Sequence, residues 1–296
     1  MFQGHPYHSL QVPSDEPFKL KPSPGKGWGA FATRRIERGS IIFTEKPLFV
    51  IRKPHTEITE GYVWAAFQQL SPSEKEQFLC LRDNGSRSFT YMEEAFAENS
   101  FAISRDNSLR SQGTSIHGLF LLHSRFNHSC IPNSKIPNTD QEIITSFATQ
   151  DIAAGHEITF CYNTDFECRL RHERHQALRF VCDCKACLID TQFQQLSDMR
   201  RTLIRGLQYL TLGVDLNGQK QQMVSPIIFD PYLKKAAETF QIPLSARLIY
   251  NLFIIVLLEE EGLPKNNFIS EALLQALLGD SERILCEELC SMRFTT

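Results

Sequence analysis

Phe180-Val181-Cys182-Asp183-Cys184-Lys185-Ala186-Cys187 places three thiols within six residues. A tetrahedral zinc site takes four thiolate or imidazole ligands, and a structural one leaves no position for water, so the triplet asks for a fourth ligand from elsewhere. Cys130, 52 residues before Cys182 in Asn127-His128-Ser129-Cys130, is the favoured supplier. His172 and His175 are its rivals, on a basic stretch that reads as an exposed helix. The nine cysteines include five outside this set: Cys80, Cys161, Cys168, Cys286 and Cys290. These five read as packing residues, because a buried thiol behaves as a small hydrophobe.

Composition narrows the class. The chain has 296 residues, 42% hydrophobic and 22% charged, enough for one large or two modest domains around a real core. A net charge of −3 gives no electrostatic footprint for nucleic acid. Met1 to Leu10 carries His and Pro where a secretory signal needs an apolar block. Leu248 to Leu258, interrupted by Asn251, falls short of the roughly 20 residues of a membrane span. Metal binding in a reducing compartment, cytoplasmic or nuclear, therefore suits the clustered thiols better than disulfides.

Residues 1 to 16 read as a loose arm broken by Pro6, Pro13 and Ser14. Phe18-Lys19-Leu20 and Ala30-Phe31-Ala32 read as strands around a turn-rich stretch, followed by extended segments at Ile41 to Phe43 and Pro47 to Ile51. Helices are expected between about 57 and 115, one of them opened by the capping box of Ser71 and Glu74 with Pro72 at the first position, another over Met92 to Asn99. Asp106 to Gly113 reads as a loop, and Gly118 to Phe126 as a short apolar helix. Ile143 to Phe147 and Glu157 to Tyr162 alternate like strands, and Asp165 to Leu178 looks helical. Beyond Cys187 the patterned segments Gln192 to Leu210, Tyr232 to Phe240 and Ala246 to Glu261 suggest an all-helical tail.

Five pieces stand in a telling order: Gly27-Trp28-Gly29-Ala30-Phe31-Ala32; Asn99-Ser100-Phe101; Asn127-His128-Ser129-Cys130-Ile131-Pro132-Asn133; Gly155-His156-Glu157-Ile158-Thr159-Phe160-Cys161-Tyr162; and the terminal Cys-x-Cys-x-x-Cys. Over roughly residues 18 to 190 the chain resembles the SET-domain lysine methyltransferases, closest to the subgroup with a MYND zinc insert. Residues 52 to 117 hold only Cys80, His55 and His117 as possible ligands, so the insert does not match a MYND finger and a fungal-type SET protein without one fits better. The resemblance implies an α+β, β-rich SET fold with a knot-like crossing. It implies an N-terminal arm over 1–16, a SET plus post-SET domain over 17–190 with a helical insert at about 52–117, and a helical C-terminal domain over 191–296.

The resemblance also assigns roles. Lys26, Gly27, Trp28, Asn99, Ser124, Arg125, Asn127, His128, Tyr162 and Phe180 would contact S-adenosylmethionine, with Gly27 and Gly29 giving the backbone a close approach to it. Tyr162 would be the catalytic residue, and Cys130, Cys182, Cys184 and Cys187 would hold one structural zinc ion in the post-SET segment. The implied activity is methyl transfer to the side-chain amine of protein lysine. A SET scaffold without methyltransferase activity and a SET-derived enzyme for a small molecule are the alternatives. The expected partner is a basic protein, histone or non-histone, with no direct nucleic-acid or membrane binding and a monomeric state. From Leu257 to Thr296 there are eight acidic and three basic residues, which could attract such a partner or form a solvated helix face.

Overall fold

The computed structural model describes residues 5–83, 86–103, 116–136, 143–178, 180–212 and 244–263, with backbone alone for Thr164, 209–212 and 244–248. The expected loop at 106–113, the expected helix at 232–240, Cys286 and Cys290 lie outside the described residues. The chain forms two compact units. The first takes residues 1–128 and 132–160, the second 129–131 and 161–296.

Among the described residues all the strands belong to the first unit. β1 (Phe18–Ser23) and β2 (Gly27–Ala32) make a hairpin in register from Phe18 opposite Ala32 to Ser23 opposite Gly27. Its turn needs positive φ at Gly25 (73°) and Gly27 (75°), a region that costs glycine nothing. β3 (Ile41–Glu45), β4 (Phe49–Ile51), β5 (Ser100–Ile103), β6 (Ile116–Leu119), β7 (Asn127–His128), β8 (Ser134–Lys135), β9 (Ile144–Ala148) and β10 (Glu157–Phe160) follow. They form three small sheets ordered β1-β2-β10-β7, β3-β9-β8 and β4-β6-β5. β10 pairs antiparallel with β2 and parallel with β7, so one strand joins the glycine hairpin to the Asn-His segment.

The insert is helical: α1 (Glu60–Gln68), α2 (Pro72–Leu79) and α3 (Met92–Asn99). Ser71 caps α2 as its sequence expects, accepting from the Glu74 amide while Glu74 accepts from the Ser71 amide. Phe67, Phe78 and Phe96 seat the insert in a core shared with Phe18, Trp28, Ile42, Phe126 and Ile158.

Two expectations change here. Gly118 to Phe126 is not a helix: residues through Leu119 are strand β6, and only His123–Arg125 make a 3-10 turn. β6 lies between β4 and β5 and is buried along its length, so its apolar run reflects two covered faces. The arm is not loose over its described part. Pro6–Ser9 forms a 3-10 turn, with Tyr7 and Leu10 buried in the main core.

The second unit is helical: a 3-10 turn at Thr164–Cys168, then α4 (Arg171–Leu178), α5 (Gln192–Leu212) and α6 (Leu244–Glu260). The stretch from Asp165 to Leu178 is therefore a turn plus a shorter helix, separated at Arg169 by extended backbone. Cys168, Ile204, Ile254, Leu258 and Leu263 form a core within this unit, and Cys161 and Cys168 pack as expected of apolar thiols. Among the described residues no helix is long and apolar enough to cross a membrane.

Candidate functional site

In the first unit the glycine hairpin and the Asn-His strand come together around Glu157. Asn127 donates through Nδ2 to the Trp28 carbonyl (3.2 Å) and to Glu157 Oε1 (2.7 Å). Lys26 Nζ lies 3.9 Å from the other Glu157 oxygen. Asn133 braces the far side of β10, donating to the Glu157 carbonyl and accepting from the Thr159 amide, both at 2.8 Å. A Cβ on Gly29 would stand 2.2 Å from Glu157 Oε1 and 2.9 Å from Asn127 Nδ2. The glycine at 29 thus makes room for this carboxylate and carboxamide, a different reason from close approach to a ligand. His128 is buried next to Asn127 on β7.

Asn99, Ser124 and Arg125 also meet. Asn99, at the end of α3, donates to the Ala95 carbonyl at 2.7 Å, and its Oδ1 accepts from Arg125 Nη2. The same guanidinium nitrogen donates to Ser124 Oγ at 3.2 Å. Beneath this group His123 is fully buried, its Nδ1 2.7 Å from Glu45 and its Nε2 3.2 Å from Ser146. Glu45 also accepts the amides of Leu122 and His123, which pins the 3-10 turn that presents Ser124 and Arg125.

In the second unit Cys130, Cys182, Cys184 and Cys187 converge, with every sulfur within 4.8 Å of the others. Cys130 Sγ is 3.9 Å from Cys182 Sγ and 3.5 Å from Cys187 Sγ. Four zinc–sulfur bonds of about 2.3 Å in a tetrahedron put sulfurs about 3.8 Å apart, so the donor set fits one zinc ion. Hydrogen bonding with Cys182 pushes the Cys130 thiol well up, and hydrogen bonding with Cys130 draws Cys187 well below the usual thiol range and Cys184 to about 7. His172 and His175 lie on α4 and do not join the group. Tyr162 and Phe180 meet edge to face with centroids 6.3 Å apart. They keep 44% and 37% of their surfaces open, enough for both rings to meet a ligand.

Several partners of these residues carry no sequence signal of their own. Glu45 and Tyr7 act across long chain separations. Arg174, on a stretch that reads as an exposed basic helix, and Arg201, in a patterned helical segment, are fully buried beside the cysteines. Arg174 donates to the Ala186 carbonyl at 2.8 Å and to Cys187 Sγ at 3.5 Å, and Arg201 to the Cys130 carbonyl at 2.9 Å. The one available hint is spacing: Arg174 stands four residues before Leu178, the other buried residue of α4, and so shares its helix face.

Residues 27–163 match the model described as the SET domain. The chain is 31% identical over 195 residues to histone-lysine N-methyltransferase set5 of Schizosaccharomyces pombe, covering 63% of this chain and 55% of that protein. It is 39% identical over 82 residues to the human protein-lysine N-trimethyltransferase SMYD5, covering 25% of this chain and 19% of that one. Histone-lysine N-methyltransferase SET5 of Scheffersomyces stipitis is 26% identical over 123 residues, 40% of this chain and 24% of that protein. The chain thus spans about half the length of the fission-yeast relative and a quarter or less of the other two.

Proposed function

We propose, from the match of residues 27–163 to the SET domain, that the chain is an S-adenosylmethionine-dependent methyltransferase acting on the side-chain amine of protein lysine. The observation that carries this reading is the meeting of Lys26 and Asn127 at Glu157, where Asn127, next in sequence to the buried His128, also donates to the Trp28 carbonyl. An ammonium, a carboxamide and backbone polar groups suit the amino-acid end of the cofactor. Asn99, Ser124 and Arg125 form the second polar set assigned to it.

When bound, S-adenosylmethionine supplies a sulfonium methyl that an amine can displace. The residues then have to align two reactants and exclude water, which needs no covalent enzyme intermediate. Tyr162 offers its phenol to orient the incoming amine, which has lost its proton to water beforehand. Phe180 offers a ring face for the adenine. The four cysteines would hold one structural zinc ion, which would brace the post-SET segment and take no part in the methyl transfer.

On this reading the first sixteen residues are an arm, 17–190 the SET and post-SET domain with its knot-like crossing, and 191–296 a helical C-terminal domain. The substrate is a basic protein, histone or non-histone, in the cytoplasm or nucleus, and the enzyme is a monomer that binds neither nucleic acid nor membrane. The names of the fission-yeast and human relatives support a protein-lysine substrate.

Calorimetry of the zinc-loaded protein with S-adenosylhomocysteine tests the first step, and absence of binding refutes the reading. Labelled methyl transfer to a cell extract tests the second, with Tyr162→Phe expected to lower turnover by at least about tenfold through loss of one oriented hydrogen bond. Label in protein lysine supports the proposal. Label confined to small molecules, or binding without transfer, assigns one of the alternatives.

A further inference from the structure

The helical insert concentrates negative charge. From Glu57 to Asn99 there are eight acidic and three basic residues, a difference of −5 where the whole chain carries −3. The three cations are already engaged. Lys75 Nζ lies 5.6 Å from the Phe67 ring centroid and donates to the Gln68 carbonyl, Arg82 donates to the carbonyls of Leu79 and Leu81, and Arg87 bridges Asp83.

Two helix starts meet on this acidic insert. Glu60, in the first turn of α1, accepts the backbone amide of Glu93, in the first turn of α3, at 2.8 Å. Trp64 stands four residues beyond Glu60, one turn along the same face of α1, and Tyr91 stands two residues before Glu93. These two rings keep 51% and 58% of their surfaces open. Phe67, itself seated in the main core, stacks on Trp64 at 5.9 Å and 28° and so backs the indole. On the other side of α1, Tyr62 already has a cation from its own chain, Lys53 Nζ at 4.8 Å from the ring centroid. Among the described residues no cation lies over Trp64 or Tyr91, and no basic side chain pairs with Glu60 or Glu93.

We propose that the face formed by Trp64, Glu60, Glu93 and Tyr91 docks a lysine- and arginine-rich segment of the substrate protein. An indole attracts an ammonium or guanidinium through its ring face, and carboxylates beside it add attraction and repel acidic competitors. Because Phe67 holds the indole in place, little ordering cost is left for binding. The inference deepens the methyltransferase reading and rests on it for the role of the bound segment.

Trp28, the other tryptophan, is buried, so the solvent-sensitive emission of the full chain comes from Trp64. Titration with oligolysine should change that emission at low salt, with affinity falling steeply as salt is added. By calorimetry Trp64→Ala should weaken oligolysine binding about fivefold, the worth of a cation over a half-exposed ring. Glu60→Gln with Glu93→Gln keeps an acceptor for the Glu93 amide, and should lose about as much at low salt and almost nothing at high salt. Failure of the wild type to bind oligolysine, equal binding of oligoglutamate, or full binding by Trp64→Ala overturns the inference. Self-association of the wild type that Trp64→Ala abolishes overturns it too, by making the face an interface between copies. In labelled transfer to protein, Trp64→Ala should raise the KM for the acceptor with kcat little changed, and an unchanged KM removes the substrate role. If the wild type labels no protein, the methyltransferase reading fails, while the oligolysine titration still decides whether the face binds a basic segment.

Discussion

Glu167, in the 3-10 turn before α4, keeps 9% of its surface, and burial pushes its carboxyl up to about 8 against the pull of Arg201. Unfolded, the same group titrates near 4.5. Between those values the folded protein holds a proton that the unfolded chain releases. Stability therefore falls as pH rises through this window, with a loss on the order of a few kcal/mol at its upper end. Glutamine has the same shape and no charge to desolvate. Glu167→Gln should match the wild type at pH 4.5 and surpass it at pH 8, read as urea midpoints at the two pH values. Identical pH dependence in both proteins would falsify the assignment. The residue scale also shows where sequence reading stops. The glycine at 29 is legible as a need for space, but its cause, Glu157 and Asn127 converging from two other strands, exists only in three dimensions.

Between elements, the strongest constraint in the second unit is the seating of Arg201 on α5. Its guanidinium donates to the carbonyls of Cys130 and Phe166, to Ser197 and to Glu261, which follows α6 and also takes Arg200 at 3.1 Å. Arg201 and Glu261 side chains are both fully buried. Removing one partner of such a pair strands a desolvated charge, at a cost of about 3–5 kcal/mol. Arg201→Met should lose that much in denaturant unfolding, and Arg201→Met with Glu261→Leu should recover part of it; an additive double variant would sink the pairing argument. From sequence α5 and α6 read only as patterned helical segments, because periodicity reports hydrophobic faces and cannot tell a buried arginine from an exposed one. What periodicity and caps do report is found: α2 behind its capping box, α3 over Met92–Asn99, and the hairpin of β1 and β2. Gly118 to Phe126 misleads, since an apolar run covered on both faces has no period to read. Pro6 misleads as well, because it opens a turn at the position where proline fits a helix start.

At the scale of the whole chain the cysteine cluster is a matter of topology. Ser129–Ile131 belongs to the second unit, although the residues on either side, through His128 and from Pro132, belong to the first. Joining Cys130 to Cys182 through a metal closes a loop spanning 52 positions, and a cross-link of that length is worth about 4 kcal/mol in unfolded-chain entropy. Zinc-loaded protein should contain one ion per chain. Stripping it with a strong chelator should lower the unfolding free energy by about that amount, with recovery on adding zinc and none on adding magnesium, which prefers oxygen ligands. Because Asn127 and His128 directly precede the metal-bound excursion, the stripped protein should also bind S-adenosylhomocysteine more weakly. A closed tetrathiolate has no position for substrate, so turnover by stripped protein that remains folded should return once the cofactor is saturating. Loss of zinc with no change in unfolding would remove the structural role, and turnover that stays abolished at saturating cofactor would mean that the metal does more than close the loop.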